Sequence, residues 1–159
     1  MSKEKLFENA EVFISNVDSH SVEISDSEGK VIAYSGPEKE CNRFYDSFSD
    51  ICRKENAINF DPGVMKEMLF KKDNTKIQYL NISVTSDLLE SADKIEEFIK
   101  NEAKKGSGLI VWVRGSFELS SLESFMQQIN NIKSQDADLG VTLAYANDPE
   151  QSRVECILL

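Results

Sequence analysis

This 159-residue chain has only one histidine, three cysteines and one tryptophan. The cysteines, Cys41, Cys52 and Cys156, form no CxxC pair and are odd in number, so neither a zinc site nor a disulfide framework is expected. They read as small apolar residues of a protein kept in a reducing, cytoplasmic compartment. His20 stands between predicted strands with no cysteine or carboxylate at ligand spacing, so no metal is expected, and nothing resembles a nucleophile elbow. Positive charge is also scarce: 18 basic against 28 acidic residues give a formal net charge of -10. That balance excludes a nucleic-acid or anionic-membrane surface as the main partner and leaves protein surfaces. Long apolar runs are missing too. The start, MSKEKLFENAEVF, is no signal peptide, and the longest run, Leu109 to Val113, has the length of a strand rather than a membrane span.

Hydrophobic residues nevertheless make up 40% of the chain, enough for a core. β-branched and aromatic residues predict a strand near Glu11–Ser15. A hairpin follows, with arms near Ser21–Ser25 and Lys30–Ser35 around the turn Asp26-Ser27-Glu28-Gly29. Gly36-Pro37 opens a helix ending near Asn56, with Cys41, Phe44, Tyr45, Phe48, Ile51 and Cys52 on one face. After the loop NAINFDPG, Pro62 starts a short helix through about Phe70, and a polar turn covers Lys71 to Lys76. From Ile77 the pattern is regular. A strand carries Leu80, Ile82 and Val84, and a helix capped by Ser86-Asp87 and stopped by Gly106 carries Leu88, Ala92, Ile95, Phe98 and Ile99. Strand Leu109–Val113 leads to a helix with Leu122, Phe125, Met126, Ile129 and Ile132. Two alternating strands then hold Leu139, Val141, Leu143 and Tyr145, and Val154, Cys156 and Leu158. Strand–helix–strand–helix–strand–strand with a mixed sheet predicts an α+β two-layer sandwich. The expected division is residues 1–36 as N-terminal strands, 37–56 as a connecting helix and 57–159 as the sandwich.

The strand–glycine–helix segment SGLIVWVRGSFELSSLESF, residues 107–125, has the outline of a phosphate-binding turn. A phosphate cradle needs several converging backbone N–H groups, hence several glycines and often a lysine. Gly115 stands alone and Glu118 would repel an anion. Ser120 and Glu123 have the spacing of a capping box that would occupy the free N–H groups, so a capped helix is expected here and no nucleotide site. Arg114, at the end of the strand, is a candidate polar interface residue together with Glu118, and the two could also pair.

Residues 106–134 followed by 137–159 resemble the C-terminal domain of FtsZ, the bacterial tubulin relative. Gly115, Glu118, Leu119, Asp148, Arg153 and Val154 stand where that family's pattern expects them, with Ser116 in place of its second glycine. Upstream, DSFSDICRKENAINFDPGVMKEML resembles the FtsZ central helix running into its catalytic loop, in which Asn59 and Asp61 match the first two positions of an Asn-x-Asp-x-x-Asp pattern and Val64 replaces the third acid. The resemblance spans residues 42–159. No counterpart of the glycine-rich GTP loop precedes the helix, where Gly29 and Gly36 are lone turn glycines. A counterpart of that family's C-terminal linker and adaptor-binding peptide is likewise not expected.

In that family the loop acids of one subunit orient water against the nucleotide of the next. With Val64 present, Asn59 and Asp61 are not expected to support GTP hydrolysis, and no catalytic residue or cofactor is expected. The resemblance implies a non-catalytic, cytoplasmic cell-division protein that binds FtsZ or another tubulin-like subunit through Asn59 and Asp61. The same two residues also have a plain reading as turn and N-cap residues before Pro62. Two alternatives stay open. One is a small-molecule enzyme or sensor resembling chorismate mutase, working as a trimer, with Arg114 and Arg153 as carboxylate binders. The other is a self-assembling scaffold subunit that pairs through an exposed strand as a homo-oligomer.

Overall fold

The computed structural model describes residues 3–71, 76–85, 87–101, 108–135 and 139–159. The N-terminal strands β1 (Glu4–Lys5), β2 (Val12–Asp18), β3 (Ser21–Asp26) and β4 (Val31–Ser35) form an antiparallel sheet of their own, in the order β1-β2-β3-β4. The hairpin between β3 and β4 closes as its sequence requires. Asp26 Oδ1 accepts the N–H groups of Glu28 and Lys30, both at 2.9 Å, and Gly29 supplies a φ of 88° that a side chain would resist. The two-residue β1 pairs with β2 and was not expected from the sequence.

Helix α1 (Glu38–Arg53) follows, with Pro37 at its N-cap. It stops three residues before the expected Asn56, because Lys54 is already extended and the Asn56 side chain turns back to donate to the Ile51 carbonyl at 2.8 Å. Helix α2 (Pro62–Phe70) has the predicted bounds. The second sheet is built from β5 (Gln78–Ser83), β6 (Gly108–Gly115), β7 (Gly140–Asn147) and β8 (Arg153–Leu158), in the order β5-β8-β6-β7. Only the β6–β7 pair is parallel, and helix α4 (Leu119–Gln135) connects those two strands. Helix α3 (Leu88–Asn101) connects β5 to β6. Asp87 Oδ1 accepts the Leu89 N–H at its start, whereas Ser86, Gly106 and most of the turn expected at Lys71–Lys76 lie outside the described residues.

Two cores meet at the second sheet. On one face, Leu109, Val111, Val113, Val154, Cys156 and Leu158 pack with the apolar stripes of α3 and α4 to make the two-layer sandwich. On the other face, Ile110, Trp112, Ala144 and Ile157 pack with α1, α2 and the first sheet. Strands β6 and β8 are therefore covered on both sides, which is why β6 reads as a nearly continuous apolar run. Helix α1 touches β2 and β3 on one side and β7 on the other, so it lies between the two sheets. Its Ser47 and Ser49 are buried along with Cys41, Phe44, Phe48 and Ile51, while Tyr45 and Cys52 stay partly exposed.

Candidate functional site

The turn after β6 is braced by the chain's own groups. The Gly115 carbonyl accepts the Asp148 N–H at 3.0 Å and the Tyr145 hydroxyl at 2.9 Å. A Cβ on Gly115 would lie 2.4 Å from the Phe117 ring, so the close approach of that side chain requires glycine here. Helix α4 begins earlier than expected. The Glu118 carbonyl accepts the N–H groups of Ser121 and Leu122, which puts Ser120 inside the first turn, and the expected Ser120–Glu123 capping box is not formed. Glu118 is exposed and does not pair with Arg114.

The loop between α1 and α2 carries Asn59 and Asp61. Its backbone is pinned to the edge of the second sheet, where Ile58 and Tyr145 exchange both N–H···O bonds, at 3.1 and 2.9 Å. Asn59 Oδ1 accepts the Asn56 N–H at 2.8 Å. Asp61 Oδ1 caps α2 by accepting from Gly63 and Val64 at 2.8 and 3.1 Å. Both side chains are exposed, as is Val64 at 44%. The loop is thus held rigidly from within and faces outward.

A third constellation, around Glu155, joins α1 to the second sheet. Glu155 is 2% exposed. One of its oxygens, Oε2, accepts from the Ser47 hydroxyl and from Trp112 Nε1 at 2.9 Å, and Oε1 accepts from the Tyr79 hydroxyl. Trp112 Nε1 also lies 2.8 Å from Ser47 Oγ. Burial, and after it the Glu155 charge, push the Tyr79 hydroxyl far above the usual tyrosine range, so it stays a donor. Tyr79 and Trp112 stack at 6.3 Å, Phe48 lies 5.2 Å from Trp112, and Phe44 lies 5.1 Å from Tyr79. Trp112 is fully buried and is a packing residue of this cluster.

Beside this network an open groove of about 830 Å³ runs between α1 and the ends of β6 and β8. Arg114 lies in it, 11% exposed and paired with Asp50 of α1. Arg153 stands directly opposite Arg114 on the neighbouring strand and gives Nε and Nη2 to Asn81 Oδ1, at 3.1 and 2.7 Å. The sequence singles out both arginines, but only the β6–β8 register brings them together. The contribution of α1, Arg43 with Ser47, Ser49 and Asp50, carried no such signal. His20 is exposed on the turn after β2, with Nδ1 3.3 Å from the Gly36 carbonyl, and no cluster fit to hold a metal occurs among the described residues.

No protein-family model matches the chain, and none of the curated proteins does. Solved structures do. An empty FtsZ dimer from M. jannaschii is similar over 76% of this chain and 37% of its own, with 14% identity and a TM-score of 0.54. The FtsZ W319Y mutant from the same organism covers 76% and 38%, with 15% identity and a TM-score of 0.55. The fold is FtsZ-like. GDP-form protofilaments of TubZ from Bacillus thuringiensis serovar israelensis give 10% identity over 76% of this chain and 37% of that chain, at a TM-score of 0.43. The chain thus spans little more than a third of the length of these FtsZ structures, and the likeness falls on their C-terminal part.

Proposed function

We propose that this chain is a non-catalytic interaction module that binds or modulates an FtsZ- or tubulin-like filament through the loop of residues 56–64. The observation that carries this reading is the loop itself, anchored to β7 through Ile58 and to α2 through Asp61, with Asn59, Asp61 and Val64 exposed. A preorganised exposed loop binds without the entropic cost of ordering it. The FtsZ-like fold supports the choice of partner, since the resemblance implies that this loop meets the nucleotide-facing end of a neighbouring subunit. Val64, in the place of an acid, puts an apolar side chain where a water-orienting carboxylate would act. The contact is therefore a docking one, and GTP hydrolysis is not its purpose.

The test mixes the protein with FtsZ and GTP and follows polymer by sedimentation and light scattering alongside the GTPase rate. Polymer amount or turnover is expected to change, and Val64→Lys, at an exposed position, is expected to abolish the change while leaving the fold intact. No change in polymer or GTPase rate, together with no detectable binding, overturns the reading.

A further inference from the structure

We infer that the groove between α1 and the β6/β8 ends is a binding site for a small molecule carrying two oxyanion groups, carboxylate or phosphate. The first observation is charge. In a chain of net charge -10, this groove is lined by six of the 18 basic residues and only four of the 28 acidic ones. The acids are largely engaged: Glu4 with Arg53, Asp50 with Lys54 and Arg114, and Glu155 with the hydroxyls and the indole. Arg43 and Arg153 make no ion pair among the described residues.

The second observation is independent of charge. Three buried side-chain atoms among the described residues have no hydrogen-bond partner, Arg43 Nε, Ser49 Oγ and Arg114 Nε, and all three residues line this one groove. Buried polar groups without partners cost stability, and their collection in one place calls for a missing acceptor. The third is strand register. Arg114 and Arg153 face each other across neighbouring antiparallel strands, an arrangement that like charges oppose. Asp50 offsets Arg114, whereas Arg153 has only the neutral Asn81.

The groove thus has a cationic wall on α1, centred on Arg43, and a second on the sheet, made by Arg114 and Arg153. Guanidinium groups on two walls match a ligand with an oxyanion at each end, and the volume of about 830 Å³ is that of a metabolite-sized site. None of these arginines belongs to the 56–64 loop, so this inference stands or falls apart from filament docking.

Isothermal titration of the full chain with sodium citrate and with sodium pyrophosphate, at chloride-matched ionic strength, tests it. Saturable one-to-one binding of at least one probe is expected, citrate marking a carboxylate ligand and pyrophosphate a phosphate one. Arg43→Gln and Arg153→Gln should each weaken it at least tenfold, with unchanged circular dichroism. Lys94→Gln, on exposed α3 beyond the opposite face of the sheet, should bind like the parent. The two arginine variants check each other should one fail to fold. Absence of saturable heat with both probes, or parental affinity in a folded arginine variant, overturns the inference.

Discussion

Replacing Glu155 tests whether the buried network, rather than apolar packing alone, fixes α1 on the second sheet. In Glu155→Ala the Trp112 N–H keeps Ser47 Oγ as an acceptor at 2.8 Å, but the Ser47 and Tyr79 hydroxyls both lose the carboxylate. Two orphaned donors at about 1–3 kcal/mol each, with the lost packing of the side chain, give an expected destabilisation of about 3–5 kcal/mol. That is a large part of the roughly 5–15 kcal/mol that holds a domain of this size. Glu155→Gln keeps the shape and turns one acceptor into a donor, which a hydroxyl can rotate to meet, so about 1–2 kcal/mol is expected. Ser47→Ala leaves Trp112 its bond to Glu155 and should cost about 1 kcal/mol. Ser49→Ala is the internal comparison: its hydroxyl is equally buried but has no partner, so its removal should be neutral or stabilising. The assay is urea unfolding followed by the emission of Trp112, the chain's one tryptophan, which lies inside the network. A Glu155→Ala variant within about 1 kcal/mol of the parent, or a Ser49→Ala loss equal to that of Ser47→Ala, refutes the reasoning, because hydrogen-bond partnership would then not decide the energy.

Asp61→Ala removes the acceptor of two N–H groups at the start of α2 and should cost about 1 kcal/mol in urea unfolding, with the fold retained. Alkaline pH gives a separate expectation. Burial, reinforced by the Glu155 charge, raises Tyr79 above its ordinary 10.0 and Cys156 above its ordinary 9.0. Both keep their protons in the fold at pH values where the unfolded chain releases them, so the unfolded state binds fewer protons and alkali favours it. Their contribution is intact below pH 9.0, and above it stability falls by about 1.4 kcal/mol per pH unit for each group that ionises on unfolding. Urea midpoints measured from neutral pH upward check this, and Cys156→Ser should make the slope that begins near 9.0 shallower, while Cys41 and Cys52, also raised by burial, keep their share of it.

Most of the sandwich was legible because its signals are local. Alternation in β7 and β8, the helical stripes of α3 and α4, and the Pro62 start of α2 each depend on residues within a few positions of one another. The boundary errors have equally local causes. Asn56 turns its side chain back into α1 instead of extending the helix, and Glu118 takes the first carbonyl position of α4 ahead of Ser120. What the sequence withheld is the second use of α1. A single apolar face over Cys41, Phe44 and Phe48 is what one-sided periodicity reveals, but the helix lies between two sheets and buries polar residues as well. Ser47 becomes meaningful only when Glu155, 108 residues later, is folded against it. The same holds for the candidate residues. Asn59 and Asp61 were visible because a turn motif is contiguous. Arg114 and Arg153 were singled out separately and are neighbours only through the β6–β8 register. Arg43 was indistinguishable from any solvated helix charge until the fold left its Nε buried with no acceptor. A groove assembled from one helix and two strands has no linear signature. Its residues are recognised by what they fail to satisfy within the chain, and that is a property of the fold rather than of any stretch of sequence.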